Sequence, residues 1–264
     1  AFFMYYILTI MRKQKYALIG YGMEAVAAFV ISDWLVRKYA IRGASVSYLI
    51  AVTVLLTIFV LFMIYNIWRG KMENKHTFAI CAYKESSFLE ECIKSLKNQS
   101  IESEIFIITS TPNSYIDRTA EKYGIPVYVN TGEAGIVQDW NFAYKKAQTE
   151  FVTITHQDDV YFEKYAEHVV REFEKSSKPL IFFTDYAEMR NGEKVTDNRL
   201  LRIKRLLLLP LKVKVFRKSR FVRRRILSLG SPICCPSVAF AKKNLPETVF
   251  KPGFASDEDW EAWE

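Results

Sequence analysis

The sequence predicts an α/β protein in which a mainly parallel, doubly wound sheet follows two or more transmembrane helices. Residues 1–75 contain long apolar stretches, whereas short β-branched runs alternate with amphipathic segments after Lys75. The run 151–155 ends abruptly in polar residues, as expected where a ligand crevice lies outside the carboxyl ends of parallel strands. We therefore divide the chain into a transmembrane region, 1–75, and an α/β domain, 76–264.

Two stretches of the N-terminal region are long enough to cross a hydrocarbon core of about 30 Å. They cover 16–36 and 45–68; the second has no charge, and the first contains Glu24 and Asp33. An acid inside a span faces a partner helix or water, which makes Glu24 a candidate functional residue. Residues 1–11 predict a partial span. Because the chain starts inside this apolar stub and stops inside a predicted helix, we expect a piece of a longer protein.

The elements of the α/β domain alternate from its first strand. Strands are predicted over 77–82, 104–110, 126–129 and 151–155, and helices from Ser87, over 114–123 and through 140–147. A Ser87/Glu90 capping box marks the start of the first helix, and Gly124 marks the end of the second. This order implies right-handed crossovers and a mainly parallel sheet.

The second half of the domain has a weaker pattern. It predicts a helix over 162–175, a strand over 180–185, a hairpin turning at Asn191-Gly192, a strand over 237–241 and a helix from Ser256 with an acidic first turn. The stretch 199–229 is basic and rich in leucine. It predicts two amphipathic helices broken at Pro210.

The net charge of +8 is concentrated between Arg199 and Arg225, where there are many basic residues and no acid. An interfacial helix on an anionic leaflet is the favoured interpretation, since each basic side chain near the surface is worth about 1 kcal/mol. A solvated face that contacts phosphates is an alternative. Nucleic acid is disfavoured, because no reader module or stacking platform accompanies the charge. The four cysteines lack a C-x-x-C spacing and predict neither zinc nor a disulfide framework.

Two acidic clusters are candidates for chemistry. Asp158 and Asp159 follow the strand 151–155 directly, and Mg²⁺ or Mn²⁺ prefers such carboxylates and keeps part of its shell for substrate phosphates. A turn or a helix N-cap is the alternative for this pair. The second cluster, 257–259, is also typical of a helix N-terminus favoured by the macrodipole.

Four motifs, in order from His76 to the end of the chain, resemble glycosyltransferase family 2. They are FAICAYKES with the later SLKNQS, DWNFAYKKAQTEFVTITHQDD, GSPICCPSVAFAKK and SDEDWEAW. Members of this family are inverting, metal-dependent enzymes of the GT-A fold. The segment 15–69, through KYALIGYG and YNIWRG, resembles half of a GtrA-like membrane domain, a family associated with moving polyprenyl-linked sugars; a plain membrane anchor fits it nearly as well.

The resemblance to family 2 implies roles for individual residues. It implies that Asp259 is the catalytic base, with Glu258 beside it. It implies that Asp158 and Asp159 are ligands of Mn²⁺ or Mg²⁺, with His156 as a further candidate. The implied donor contacts are Tyr83, Glu85, Thr111, Asn113, Asn141 and Asp158, and the implied acceptor side contains Ser231, Pro236, Ser237 and Trp260. The chain departs from the family pattern at 109–113, which supply no carboxylate to hold the nucleobase and ribose.

We therefore expect a membrane-tethered inverting glycosyltransferase that uses a nucleotide-sugar donor and a lipid-linked or surface-glycan acceptor. We place its catalytic domain on the cytosolic face of a bacterial plasma membrane because the donor is made in the cytosol; the basic residues that flank the spans do not decide orientation. One alternative is a polyprenyl-sugar translocase or membrane partner protein whose α/β domain binds nucleotide-sugar without catalysis. A dinucleotide enzyme is disfavoured, because 82–85 is not a glycine-rich turn.

Overall fold

The computed structural model describes residues 14–72, 74–190, 192–253 and 258–263. These residues form two compact units that divide between Lys71 and Met72. The predicted partial span 1–11, the turn residue Asn191 and the predicted helix start at Ser256 lie outside the described residues.

The N-terminal unit is a long apolar helix, α1 (Gln14–Met72), that is interrupted at Ala40. Ala40 has φ 49° and ψ −127°, which no α-helix accommodates. A straight helix of 59 residues would be about 90 Å long, yet the rings of Tyr16 and Phe62, near its two ends, lie 4.8 Å apart. The chain therefore reverses at Ala40, and Phe59 is buried against Ala17.

By length and composition, the helix that contains Tyr16–Ile67 can cross a membrane. The predicted spans 16–36 and 45–68 lie on either side of the break at Ala40. Whether the chain crosses a bilayer twice stays a prediction.

The C-terminal unit is built on a six-stranded sheet with the order β3-β2-β1-β4-β8-β5. Its strands are β1 (His76–Cys81), β2 (Glu104–Thr109), β3 (Val127–Val129), β4 (Phe151–His156), β5 (Ile181–Phe183) and β8 (Val238–Ala241). The first four strands run parallel, and β8 runs antiparallel to both β4 and β5. The predicted mainly parallel α/β sheet is confirmed. A separate hairpin joins β6 (Glu188–Arg190) to β7 (Glu193–Val195), which confirms the predicted pairing.

Helices cover both faces of the sheet because side chains alternate along its strands. Phe78 and Ile80 of β1 pack into one core, whereas Ala79 packs into the other. The helices are α2 (Leu89–Lys97), α3 (Ser114–Tyr123), α4 (Ile136–Lys146), α5 (Tyr165–Glu174), α6 (Arg199–Leu208), α7 (Lys214–Lys218), α8 (Arg220–Leu227) and α9 (Glu258–Ala262). Gly124, with φ 62°, ends α3 as predicted.

Two local predictions are wrong. The capping box does not form, because α2 begins at Leu89 and Ser87 is therefore too early to cap it; Glu90 binds Lys94 and Lys122 instead. The basic stretch forms three α-helices, α6 to α8, and not two. A 3₁₀ turn at Leu209–Lys212, which contains Pro210, separates the first from the others.

Candidate active site

The candidate site lies where the sheet changes direction. The chain moves from β1 outward through β2 to β3, and then returns to place β4 on the other side of β1. In open α/β sheets the ligand crevice lies at the carboxyl ends of the strands at such a switch point. The segments that follow β1 and β4 therefore meet at the position expected for a ligand.

Three potential metal ligands follow or end β4. One ligand atom from each of His156, Asp158 and Asp159 lies within 4.8 Å of the others. The imidazole of His156 stacks on Trp140, with 5.5 Å between ring centroids and 5° between planes, and its Nδ1 lies 3.8 Å from Asp159 Oδ2. Packing thus fixes the imidazole beside the carboxylate. We refer to these three residues as the cation triad.

The cation triad suits a divalent cation. His156 Nε2 and Asp159 Oδ2 are buried, and neither has a hydrogen-bond partner within the described part of the chain. Such atoms are costly to bury, and a cation would satisfy them. Burial and the neighbouring Asp158 raise the pKa of Asp159 to about 7, while burial lowers the pKa of His156. The imidazole is therefore neutral at pH 7, the form that binds metals.

Gln157 ties the cation triad to the loop after β1. The backbone N–H of Tyr83 donates to Gln157 Oε1 at 3.2 Å, and Gln157 Nε2 donates to the Tyr83 carbonyl at 2.8 Å. The backbone N–H of Lys84, whose φ is 55°, donates to Thr111 Oγ1 at 2.7 Å. These hydrogen bonds connect Tyr83 and Thr111, both predicted to contact the donor, with the segment of the triad. Glu85 is exposed, and its donor contact stays a prediction. Sequence reasoning missed Gln157, whose position between two candidate ligands was the available signal.

Asn113 and Asn141, both predicted to contact the donor, use their side chains within the protein. Asn113 Oδ1 accepts the backbone N–H groups of Tyr115 and Ile116 and so caps α3. Asn141 Oδ1 accepts the N–H of Phe250 at 3.1 Å, and its Nδ2 donates to the Phe250 carbonyl at 2.7 Å. These contacts give both residues a positioning role, and their donor contacts stay predictions.

Asp139 brings a carboxylate to the end of β2, where 109–113 contain none. The side chain of Asp139 is 8% exposed and comes from α4. Its Oδ2 accepts from Ser110 Oγ at 2.8 Å, and its Oδ1 accepts from Asn130 Nδ2 at 2.7 Å. Sequence reasoning missed this residue. The signal was an acid in the first turn of a helix, on the side that carries its buried residues.

Asp259, the predicted base, lies in α9, and the side chain of its neighbour Glu258 is outside the described residues. Burial, Asp159 and Asp259 all raise the pKa of Cys234, to about 11. Trp260 Nε1 donates to the Leu227 carbonyl at 3.0 Å and fixes α9 against the end of α8.

The predicted acceptor segment precedes β8. Ser237 is buried, its Oγ donates to the Cys234 carbonyl, and its own carbonyl accepts from Tyr165 Oη at 3.1 Å. The Pro236 carbonyl accepts from Tyr161 Oη at 2.6 Å, and Ser231 is half-buried. The segment is therefore held firmly beside β4. Its acceptor contacts, including those of Trp260, stay predictions.

A model of the family described as glycosyl transferase family 2 matches residues 77–250, which is more than half of the chain. The chain belongs to glycosyl transferase family 2. The predicted family, its GT-A type of α/β domain and the assignment as a glycosyltransferase are thereby confirmed. No curated protein sequence matches the chain.

Several solved structures are similar to this family 2 chain. TarS of S. aureus is 18% identical with a TM-score of 0.49, covering 72% of this chain and 55% of that one. Glucosyl-3-phosphoglycerate synthase of Mycobacterium tuberculosis, in a complex with UDP, is 11% identical and has a TM-score of 0.46. The match covers 66% of this chain and 61% of that one. The mannosyltransferase PcManGT of Pyrobaculum calidifontis, in a complex with GDP-Man and Mn²⁺, is 14% identical and has a TM-score of 0.43. The match covers 69% of this chain and 52% of that one. The chain thus spans between about half and three fifths of these proteins.

The family 2 match includes the cation triad and the donor-side loops but stops before α9. Asp259, Glu258 and Trp260 therefore lie beyond the matched residues. Their assignment depends on the local SDEDWEAW motif and on the position of α9.

Proposed function

We propose that this family 2 chain transfers a sugar from a nucleotide-diphosphate sugar to an acceptor hydroxyl, with inversion, while tethered to a membrane by α1. The observation that carries the proposal is the cation triad at the switch point of the sheet, in which buried His156 Nε2 and Asp159 Oδ2 have no hydrogen-bond partner among the described residues. A nucleoside diphosphate brings the negative charge that a cation at this position would bind.

The donor set favours Mn²⁺ over Mg²⁺. Asp158 and Asp159 supply oxygen, which both ions accept, but His156 supplies nitrogen, and Mg²⁺ prefers oxygen ligands. When bound, the cation would act as a Lewis acid on the charge that develops on the leaving diphosphate. Gln157 would hold the Tyr83 loop at the edge of the donor site.

Asp259 would act as the general base. In a single displacement the acceptor hydroxyl attacks the anomeric carbon from the side opposite the diphosphate, and its proton passes to a carboxylate as the new bond forms. Asp259 comes from a different element than the triad. This arrangement supports separate roles for the two groups of acids.

The apolar helix α1 supports membrane tethering, and with it a lipid-linked or surface-glycan acceptor. A domain that stays at the bilayer meets lipid-linked substrates at high local concentration. We place the domain on the cytosolic face, where nucleotide-sugars are made.

Calorimetric binding of nucleoside diphosphates and their sugars to the purified chain, with and without Mn²⁺, tests the donor site. We expect Mn²⁺-dependent binding of at least one nucleotide and its loss in the Asp158→Asn/Asp159→Asn variant. Asp117→Asn, an exposed acid in the first turn of α3, is the matched control and should bind as wild type. Failure of the folded wild type to bind any nucleotide would contradict the proposal and favour a non-catalytic α/β domain beside a membrane transport unit.

A further inference from the structure

The second half of the basic stretch carries charge that no described acid neutralises in an ion pair. From Arg199 to Leu229 the chain has no acid. In α6, Arg202 and Arg205 are paired with Asp197 and Asp185, at 2.6 and 2.9 Å. Beyond α6, none of the following side chains forms an ion pair with a described residue: Lys212, Lys214, Arg217, Lys218, Arg220, Arg223, Arg224 and Arg225. We call the segment 212–229 the basic surface.

Apolar side chains are exposed beside these cations. Val215 and Phe221 are each 72% exposed, and Leu229 is 66% exposed. In α8, Ile226 and Leu227 are buried in the domain, so the helix is anchored on one side while Phe221, Arg224 and Arg225 remain accessible. A surface that faces only water gains nothing from exposing large apolar side chains between its arginines. The combination is typical of a surface that rests in the headgroup region of a bilayer.

An open pocket in the basic surface is lined by basic, hydroxyl and aromatic side chains. It has a volume of about 340 Å³ and is lined by Phe221, Arg224, Arg225 and Ser228. The guanidinium of Arg225 lies 5.9 Å from the centroid of the Phe221 ring. The guanidinium groups and the Ser228 hydroxyl can donate hydrogen bonds to phosphate oxygens. The Phe221 ring can pack against the acyl chains of a lipid.

We propose that the basic surface binds the anionic phospholipids of the membrane in which α1 is embedded. Charge complementarity selects anionic lipid, and the exposed Val215, Phe221 and Leu229 select a bilayer over a purely polar polyanion. The tether by α1 would raise the effective concentration of the basic surface at the bilayer, so that a modest affinity suffices. This inference depends on membrane tethering but not on sugar transfer, and it can fail while the proposed transfer reaction holds.

The test places an environment-sensitive fluorophore on the basic surface of the full chain. Phe221→Cys is labelled in nanodiscs of phosphatidylcholine alone and of phosphatidylcholine mixed with phosphatidylglycerol. Met189→Cys, 64% exposed on β6, is the control site, and the unsubstituted chain reports any labelling of native thiols. We expect the emission of the fluorophore at position 221 to shift to shorter wavelength only in the anionic nanodiscs, and high salt should reverse this shift. The emission of the fluorophore at position 189 should be the same in both nanodiscs.

A charge variant identifies the cause of the shift. Removing three cations of the basic surface, in Arg220→Gln/Arg224→Gln/Arg225→Gln, should abolish the shift at position 221. Removing three exposed cations elsewhere, in Lys97→Gln/Lys145→Gln/Lys178→Gln, should leave it unchanged. Equal emission in both nanodiscs, a shift shared with position 189, or a shift produced by added RNA and not by phosphatidylglycerol would overturn the proposal. Circular dichroism confirms that each variant is folded.

Discussion

His76 is a buried histidine that the proposed chemistry does not use. It begins β1, its Nδ1 lies 3.2 Å from Ser103 Oγ, and its Nε2 lies 2.9 Å from Thr153 Oγ1. Burial lowers the pKa of His76 to about 3 from its ordinary 6.5. The imidazole is thus neutral in the folded domain at every pH where the protein is expected to work, and it joins β1 to β4.

This residue predicts a pH dependence of stability. Because the pKa is depressed on folding, the unfolded chain binds a proton below pH 6.5 that the folded chain does not bind until about pH 3. The free energy of unfolding should therefore fall as the pH drops below 6.5, by about 1.4 kcal/mol per pH unit from this group. Urea unfolding of the chain in detergent at pH 7.5 and 5.5 measures the change.

A pair of matched variants separates His76 from other groups. His76→Gln should be less stable at pH 7.5 by about 1–3 kcal/mol, because it loses buried hydrogen bonds, and its stability should depend less on pH. His168→Gln, in α5, should keep the wild-type dependence. Identical pH dependence in His76→Gln and wild type would contradict the interpretation.

At the scale of the elements, the site depends on loops that different strands deliver and that side chains then join. Gln157 follows β4 and holds Tyr83 after β1 through one donated and one accepted hydrogen bond. The amide makes both at once, since it has a carbonyl oxygen and an NH₂ group on one carbon, whereas an ionised carboxylate can only accept. Gln157 therefore fixes the separation of the donor-side loop and the cation triad.

Gln157→Glu should weaken donor binding without unfolding the domain. The carboxylate cannot donate to the Tyr83 carbonyl, and we expect a loss of about 1 kcal/mol, or about five-fold in the dissociation constant. Gln148→Glu, the same change at an exposed residue before β4, is the control. Titration calorimetry with the nucleotide found for the wild type measures both. Wild-type affinity in folded Gln157→Glu would show that this clamp does not position the donor site.

At the scale of the whole molecule, the sequence predicts what depends on local pattern. Alternating apolar runs locate β1 to β4, and the abrupt polar end of 151–156 locates the cation triad. Family resemblance, confirmed over 77–250, supplies the enzyme class. The two predicted spans place a break between 36 and 45, but the sequence does not locate it at Ala40, because alanine favours helix.

The parts that sequence reasoning missed depend on contacts between distant segments. Asp139 accepts a hydrogen bond from Ser110, and Gln157 donates one to Tyr83. Each pair is far apart in the sequence, where the periodicity of apolar residues gives no information about contacts. The family resemblance implies a donor contact for Asn141, and in the structure its amide binds the backbone of Phe250. The motif does not report this second contact, and the donor contact stays a prediction.

We propose that a cation held by the triad binds the donor while Asp259 removes the acceptor proton. With the donor identified by calorimetry, transfer of radiolabelled sugar to a bacterial membrane lipid extract compares wild type with Asp259→Asn, and Asp117→Asn serves as the matched control. We predict that Asp259→Asn binds the donor normally but transfers sugar about 100-fold more slowly or worse, because a general base contributes at least that factor. Transfer at the wild-type rate by folded Asp259→Asn would contradict the account.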